Sequence, residues 1–327
     1  MTRRFRSVRG SSPVAKFAND FVNALKGRRD RKTFGLCCSI TWQTALQFAK
    51  THGAFIKGFA HAYGPYEELC ADRDVDVVYI ATINLVHFDQ ITLALNHGNH
   101  VLEEKPMAMN VAQATATISR EKSLPHGRNV DAILHAIRHV RQLLANKEIE
   151  DAHHVHAAFG VQFDADNARM WHNELGGGGL LDVGIYPLAF ATMMFGAKPE
   201  KITSVRKLND GGVDIFNSVT LEYSDSLLRY RRTVTISGSK GRIHLSTPAH
   251  TATEVRVVKY LEDGTQNGTK TLFPWPTPAA GVTFNYGGSE GKQTKSQEYP
   301  LDESLQIMVI MDKIRKDMGL VYPADSK

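Results

Sequence analysis

The apolar residues of this chain change their period near residue 150, and that change limits the fold more than any other feature. Before it, short apolar runs at 4–9, 33–38, 54–57, 76–82 and 99–103 alternate with helical spacing, as in Ala45, Phe48 and Ala49 and in Ile91, Leu93, Ala94 and Leu95. Strands separated by helices cannot pair as hairpins, so this half is expected to be βαβ units on a parallel sheet. Gly53 and Gly98 stand where helix C-caps belong. A helix over 131–146, with Ile133, Ile137, Val140 and Leu144 at core spacing, leads out of it. From about 152 the apolar residues alternate, as in Val155–Val161 and Ile215–Leu221, and a hairpin over 233–246 turns at Ser239–Lys240. Alternation at period two predicts antiparallel strands with one face covered.

The expected fold class is therefore α/β followed by α+β. Residues 1–150 form the parallel-sheet domain, 151–300 a domain with an open, mostly antiparallel sheet, and 301–327 a terminal helix with Leu305, Met308, Met311, Ile314 and Met318 before Gly319. A length of 327 residues suits two such domains. The stretch 261–299 is polar and rich in Gly, Thr and Pro, and reads as a mobile loop.

Apolar content of 42% and charged content of 22% are those of a globular protein, and no apolar run reaches the roughly 20 residues of a membrane helix. Cys37, Cys38 and Cys70 have no metal-ligand spacing and read as reduced thiols, which favours the cytoplasm. The net charge of +5 includes a cluster at Lys26, Arg28, Arg29, Arg31 and Lys32 without interleaved aromatics, so no nucleic-acid partner is expected. Arg3, Arg4, Arg6, Arg9 and Lys16, with no acid before Asp20, also fit a mitochondrial presequence. His135 and His139 are one helical turn apart but have no third ligand at a plausible spacing, so no metal is expected.

Two segments carry chemistry. In Gly176-Gly177-Gly178-Gly179-Leu180-Leu181-Asp182-Val183-Gly184-Ile185-Tyr186-Pro187, a carboxylate and a phenol four residues apart follow a run of glycines. On an α-helix they share a face, and glycines let a substrate approach the backbone. A flexible loop before a buried helix is the plain alternative. In Val101-Leu102-Glu103-Glu104-Lys105-Pro106, a short apolar strand ends in charged residues, and strand ends are where open α/β sheets bind ligands.

Together with Tyr66-Glu67-Glu68-Leu69, Asp74–Thr82, Ser237-Gly238-Ser239-Lys240-Gly241 and Gly319-Leu320-Val321-Tyr322-Pro323, these segments resemble the glucose-fructose oxidoreductase/inositol dehydrogenase (Gfo/Idh/MocA) family, and within it the dimeric dihydrodiol dehydrogenases. The resemblance implies a Rossmann domain first, a terminal helix that packs back on it, and a homodimer formed through the open sheet. It also implies hydride transfer between NADP, with NAD the less favoured choice, and a sugar such as D-xylose or a trans-dihydrodiol.

The resemblance also implies residue roles. Gly10, Ser12 and Ala15 stand at the pyrophosphate turn, where Ser12 replaces a glycine and Pro13 removes a backbone donor. Ser39 and Thr41 stand where the family chooses between nucleotides, and no carboxylate there repels a 2′-phosphate. Thr82, Asn84 and His87 match a turn under the cofactor, and Glu104 matches a ribose contact. Lys105 would favour the phenolate of Tyr186, and Asp182 would orient a substrate hydroxyl. Three stretches depart from the family pattern. Residues 124–132 and 224–232 are too polar or basic for the strands expected there, and 286–292 replaces a helix. A catalytically weak or inactive relative that binds nucleotide or a partner is the alternative reading, and a scaffold using only the sheet is a third.

Overall fold

A computed structural model describes residues 5–9, 18, 34–38, 42–53, 63–120, 125–127, 135–196, 198–223, 226–229, 234–246, 249, 252–274 and 301–326. By its contacts the chain divides into two units, residues 1–128 with 276–297 and residues 129–275 with 298–327.

The first unit is a parallel α/β sheet. Strands β1 (Phe5–Arg9), β2 (Phe34–Cys38), β3 (Val77–Ala81), β4 (His100–Glu103) and β5 (Pro125–Gly127) lie in the order β2-β1-β3-β4-β5. Between them come α1 (Trp42–Gly53), α2 (Tyr66–Ala71), α3 (His87–Asn96) and α4 (Val111–Arg120). All five residues of β3 are buried, as a central parallel strand covered on both faces requires. Its core joins Val78 and Ile80 to Leu69, Cys70, Ile91, Ala94 and Val101. Strand order reverses between β1 and β3, the point outside whose carboxyl ends such sheets bind nucleotides. Arg9 lies opposite Ala81, so the chain leaves both strands at one level. Gly98 closes α3 at φ 80°, as expected of a C-cap glycine. The expected strand at 54–57 lies outside the described residues.

Residues 125–127 correct the expectation of a missing strand, for β5 pairs with β4 from Pro125 opposite Val101 to Gly127 opposite Glu103. A proline is tolerated at the first position of an edge strand, where its missing N–H leaves no ladder bond unmade.

The second unit begins, among the described residues, with α5 (His135–Ala145). It continues through β6 (Ala152–His156), α6 (Ala168–Trp171), α7 (Ile185–Phe195), β7 (Lys201–Leu208), β8 (Asp214–Tyr223), β9 (Ser226–Arg229), β10 (Val234–Gly238), β11 (Gly241–Leu245), β12 (Glu254–Tyr260) and β13 (Gln266–Leu272) to α8 (Leu301–Met318). The eight strands form one sheet in the order β13-β12-β11-β10-β6-β9-β8-β7, antiparallel except where β6 meets β9. The hairpin of β10 and β11 turns at Ser239–Lys240, with Gly238 opposite Gly241. Its inward residues Val234, Ile236, Ile243 and Leu245 are buried, together with Leu180, Leu181 and Leu188. Alternation therefore identified the covered face. The described contacts of α8 with β7 and α7 group it with the second unit.

Two further corrections concern strands. β9 occupies Ser226–Arg229, inside a stretch judged too basic for a complete strand. β13 lies in the stretch read as loop. It is an edge strand exposed along nearly its whole length, so its residues carry no apolar alternation to signal it. The departure at 286–292 lies outside the described residues.

Candidate active site

In the first unit, β3 and β4 run side by side, and beyond β4 the Glu104 N–H still donates to Ile80 O at 2.9 Å. The chain then turns through Lys105 and Pro106, joined by a cis peptide. Glu104 and Lys105 are half-buried, while Pro106, Met107 and Ala108 are buried. Tyr79, buried in β3, donates its hydroxyl to the Glu104 carboxylate, a partner that sequence reasoning missed. Downstream, Asn110 Oδ1 accepts the Gln113 N–H at 2.9 Å and Gln113 Oε1 accepts the Met109 N–H at 3.1 Å. This reciprocal cap starts α4 and fixes the far side of the turn.

After β3, Thr82 Oγ1 donates to Gln90 Oε1 at 2.8 Å, and Asn84 opens a single 3₁₀ turn before α3 begins at His87. Thr82 and Asn84 are buried, and His87 is fully buried. The His87 ring lies between two backbone carbonyls, with Nδ1 2.9 Å from Pro106 O and Nε2 3.1 Å from Thr82 O. Gly10, Ser12, Ala15, Ser39 and Thr41 lie outside the described residues.

In the second unit, residues Leu180–Gly184 form a π-type turn that runs into α7. Bonds of a π turn reach five residues instead of four, and Tyr186 lies just beyond that turn, in the first turn of α7. Asp182 is buried, and its Oδ1 accepts from Arg169 Nη1 at 2.9 Å; Arg169, in α6, is buried as well. The cation repays the desolvation of the carboxylate only because the two are paired. Tyr186 is half-buried, its ring stacked on Phe159 with centroids 5.0 Å apart. Sequence reasoning missed Arg169, which lies in α6, a single turn whose surroundings show no period.

Two of the glycines are required by packing within the chain itself. A side chain at Gly177 would stand 2.7 Å from Met170 O, and Gly178, at φ 110°, has no room beside Asp214 and the Tyr322 hydroxyl. These glycines let the loop pack against its own protein. Asp214 Oδ2 accepts the Leu180 N–H at 2.8 Å and the Asn217 amide at 2.6 Å. Burial pushes the Asp214 carboxyl up from 3.8 to about 6, against hydrogen bonds that lower it. From the other side, Tyr322 donates its hydroxyl to Gly177 O at 2.6 Å. Burial, followed by the charge of Asp214, raises the Tyr322 phenol above its ordinary value. Tyr322 is held in turn by Arg315, which lies over its ring at 5.3 Å and pairs with Asp325 at 2.7 Å. The closing Gly319–Pro323 motif thus anchors the loop that carries Asp182.

A cleft of about 420 Å³ lies in the same unit, lined among others by Phe159, Trp171, Val183, Pro187, Phe216 and Asn217. Asp182 and Tyr186 are not part of its lining, although Phe159 connects it to the Tyr186 ring. Among the described residues no group of three or more His, Cys, Asp or Glu side chains is placed to hold a metal ion. Among them, too, no helix is long and apolar enough to cross a membrane.

Residues 14–126 match the oxidoreductase family with an NAD-binding Rossmann fold, and residues 137–264 match the GFO/IDH/MocA C-terminal domain. Trans-1,2-dihydrobenzene-1,2-diol dehydrogenase of Xenopus laevis is 31% identical over 96% of this chain and 98% of its own. Scyllo-inositol 2-dehydrogenase (NADP(+)) of Bacillus subtilis is 30% identical over 86% of this chain and 88% of its own. Aldose-aldose oxidoreductase of Caulobacter crescentus superposes with a TM-score of 0.77 at 19% identity, covering 97% of each chain, a likeness of fold. With both halves matched and relatives at this identity along nearly its whole length, the chain belongs to the Gfo/Idh/MocA family of oxidoreductases.

Proposed function

We propose that this oxidoreductase is an NADP-dependent dehydrogenase that oxidises a sugar such as D-xylose or a trans-dihydrodiol. The observation that carries the reading is the start of α7, where an ion-paired Asp182 precedes a Tyr186 whose ring rests on Phe159. Held beside the Arg169 cation, Asp182 acts as a hydrogen-bond acceptor that orients a substrate hydroxyl. Tyr186 takes the hydroxyl proton as general base, and the family resemblance assigns Lys105 the part of favouring its phenolate. A nicotinamide supplies the hydride acceptor.

The described residues at the strand ends suit that group. Thr82 and Asn84 stand next to the reversal of strand order, and Glu104 sits at the end of β4. Gly10, Ser12, Ala15, Ser39 and Thr41 complete the nucleotide assignment, with His87 supporting the turn beneath it. NADP over NAD is supported by the absence of a carboxylate in Cys38-Ser39-Ile40-Thr41 and by the NADP(+) named for the Bacillus subtilis relative. A homodimer is supported by the open sheet, which exposes Val205 at 63% and Phe216 at 56%. A reducing, cytoplasmic setting is supported by Cys70, buried and unpaired, its thiol pushed up to about 11 by burial and then by Glu67.

The second reading, a catalytically weak relative, is favoured by Ser12 and Pro13 at the pyrophosphate turn. Calorimetric titration with NADP and NAD tests the proposal. Binding of NADP more tightly than NAD is expected, and no heat with either nucleotide would end the enzyme reading.

A further inference from the structure

We propose that His87 is a positioning residue for Lys105, locking the Lys105–Pro106 turn to the turn after β3 through one ring; the inference rests on the reading of Lys105 given above. Its ground is the placement of the ring. Pro106 O and Thr82 O both lie just past the ends of their strands, β4 ending at Glu103 and β3 at Ala81. Neither carbonyl has a place in the sheet ladder, and both belong to buried residues. Buried carbonyls need donors. The fully buried His87 ring meets Pro106 O at 2.9 Å through Nδ1 and Thr82 O at 3.1 Å through Nε2. A neutral ring donates to one of these carbonyls and a protonated ring to both.

His87 can hold this position because it opens α3, whose buried Ile91 and Ala94 fix the helix in the core. The ring thereby ties three elements together: the first turn of α3, the exit of β3 and the exit of β4. The reciprocal cap at Asn110 and Gln113 holds the turn from its other end. Lys105 sits one residue before the clamped Pro106, so an ångström of slack at Pro106 passes directly to the lysine stem. On this account the histidine of the turn does not touch the cofactor. It sets where the ammonium stands.

His87→Leu, His87→Gln and Lys105→Met test this in the full chain. Hydrogen exchange of His87→Leu should quicken at Thr82–Asn84 and Met107–Ala108 while Val78 and Ile80 stay as slow as in the parent. With D-xylose and NADP as probes, His87→Leu should lower kcat by up to about 10²-fold, the cost of misplacing a reacting group by about 1 Å, with the KM for NADP little changed. Its rate profile should move to higher pH, in the direction given by Lys105→Met, and His87→Gln, which keeps one donor, should recover part of both effects. Unchanged exchange at both turns overturns the proposal. So does an unchanged kcat and pH profile in His87→Leu while Lys105→Met loses both. Unchanged turnover in Lys105→Met instead defeats the reading of Lys105 itself.

Discussion

Replacing Asp214 by asparagine should change how stability depends on pH, in a direction opposite to that of most carboxylates. Asp214 is 1% exposed, and burial raises its carboxyl from 3.8 to about 6. The folded chain therefore binds this proton more tightly than the unfolded chain. Its contribution is fully present below the unfolded value of 3.8 and is lost as pH rises through about 6. The shift is about two units, which at ~1.4 kcal/mol each amounts to roughly 3 kcal/mol. Asparagine keeps an oxygen for the Leu180 N–H and has no charge to desolvate. Urea unfolding of both proteins in steps between about pH 4 and pH 7 should show Asp214→Asn gaining on the parent by up to roughly 3 kcal/mol as pH rises. Parallel curves across that window would refute the reasoning, because they would mean that Asp214 is as easily ionised in the fold as outside it.

Two further outcomes follow from the same loop. Arg169→Leu should destabilise the chain by about 3–5 kcal/mol, because it leaves the buried Asp182 carboxylate without its cation; denaturant midpoints measure it, and a loss under about 1 kcal/mol would show that Asp182 had found another partner or water. Gly178→Ala places a methyl against Asp214 and the Tyr322 hydroxyl at a φ of 110°, and should cost at least as much as one strained backbone site, about 1–3 kcal/mol. Thermal unfolding no different from the parent's would contradict that packing.

The fold was legible in the sequence wherever a face is buried. β3 reads as a continuous apolar run because both its faces are covered, and β10 and β11 read as alternation because one is. β13 was missed for the same physical reason, since an exposed edge strand leaves no apolar imprint. The candidate site was legible in part. Glu104-Lys105-Pro106 and Asp182/Tyr186 stood out by spacing and by family resemblance, and the resemblance singled out His87. The partners that hold them did not. Asp214 reaches Leu180 across 34 residues and Tyr322 reaches Gly177 across 145, distances at which local spacing carries no information. The π turn at Leu180–Gly184 was not legible either, for the residues around it have the spacing of a regular α-helix.

Turnover of Tyr186→Phe with D-xylose or a trans-dihydrodiol, followed through the absorbance of the reduced nicotinamide, tests the central claim most directly. The substitution keeps the ring that stacks on Phe159 and removes only the phenolic proton. The account predicts unchanged NADP affinity and a fall in kcat of about 10²–10⁴-fold, the usual contribution of general acid–base catalysis. Turnover near that of the parent would contradict it and reduce the Asp182/Tyr186 pair to the start of a helix.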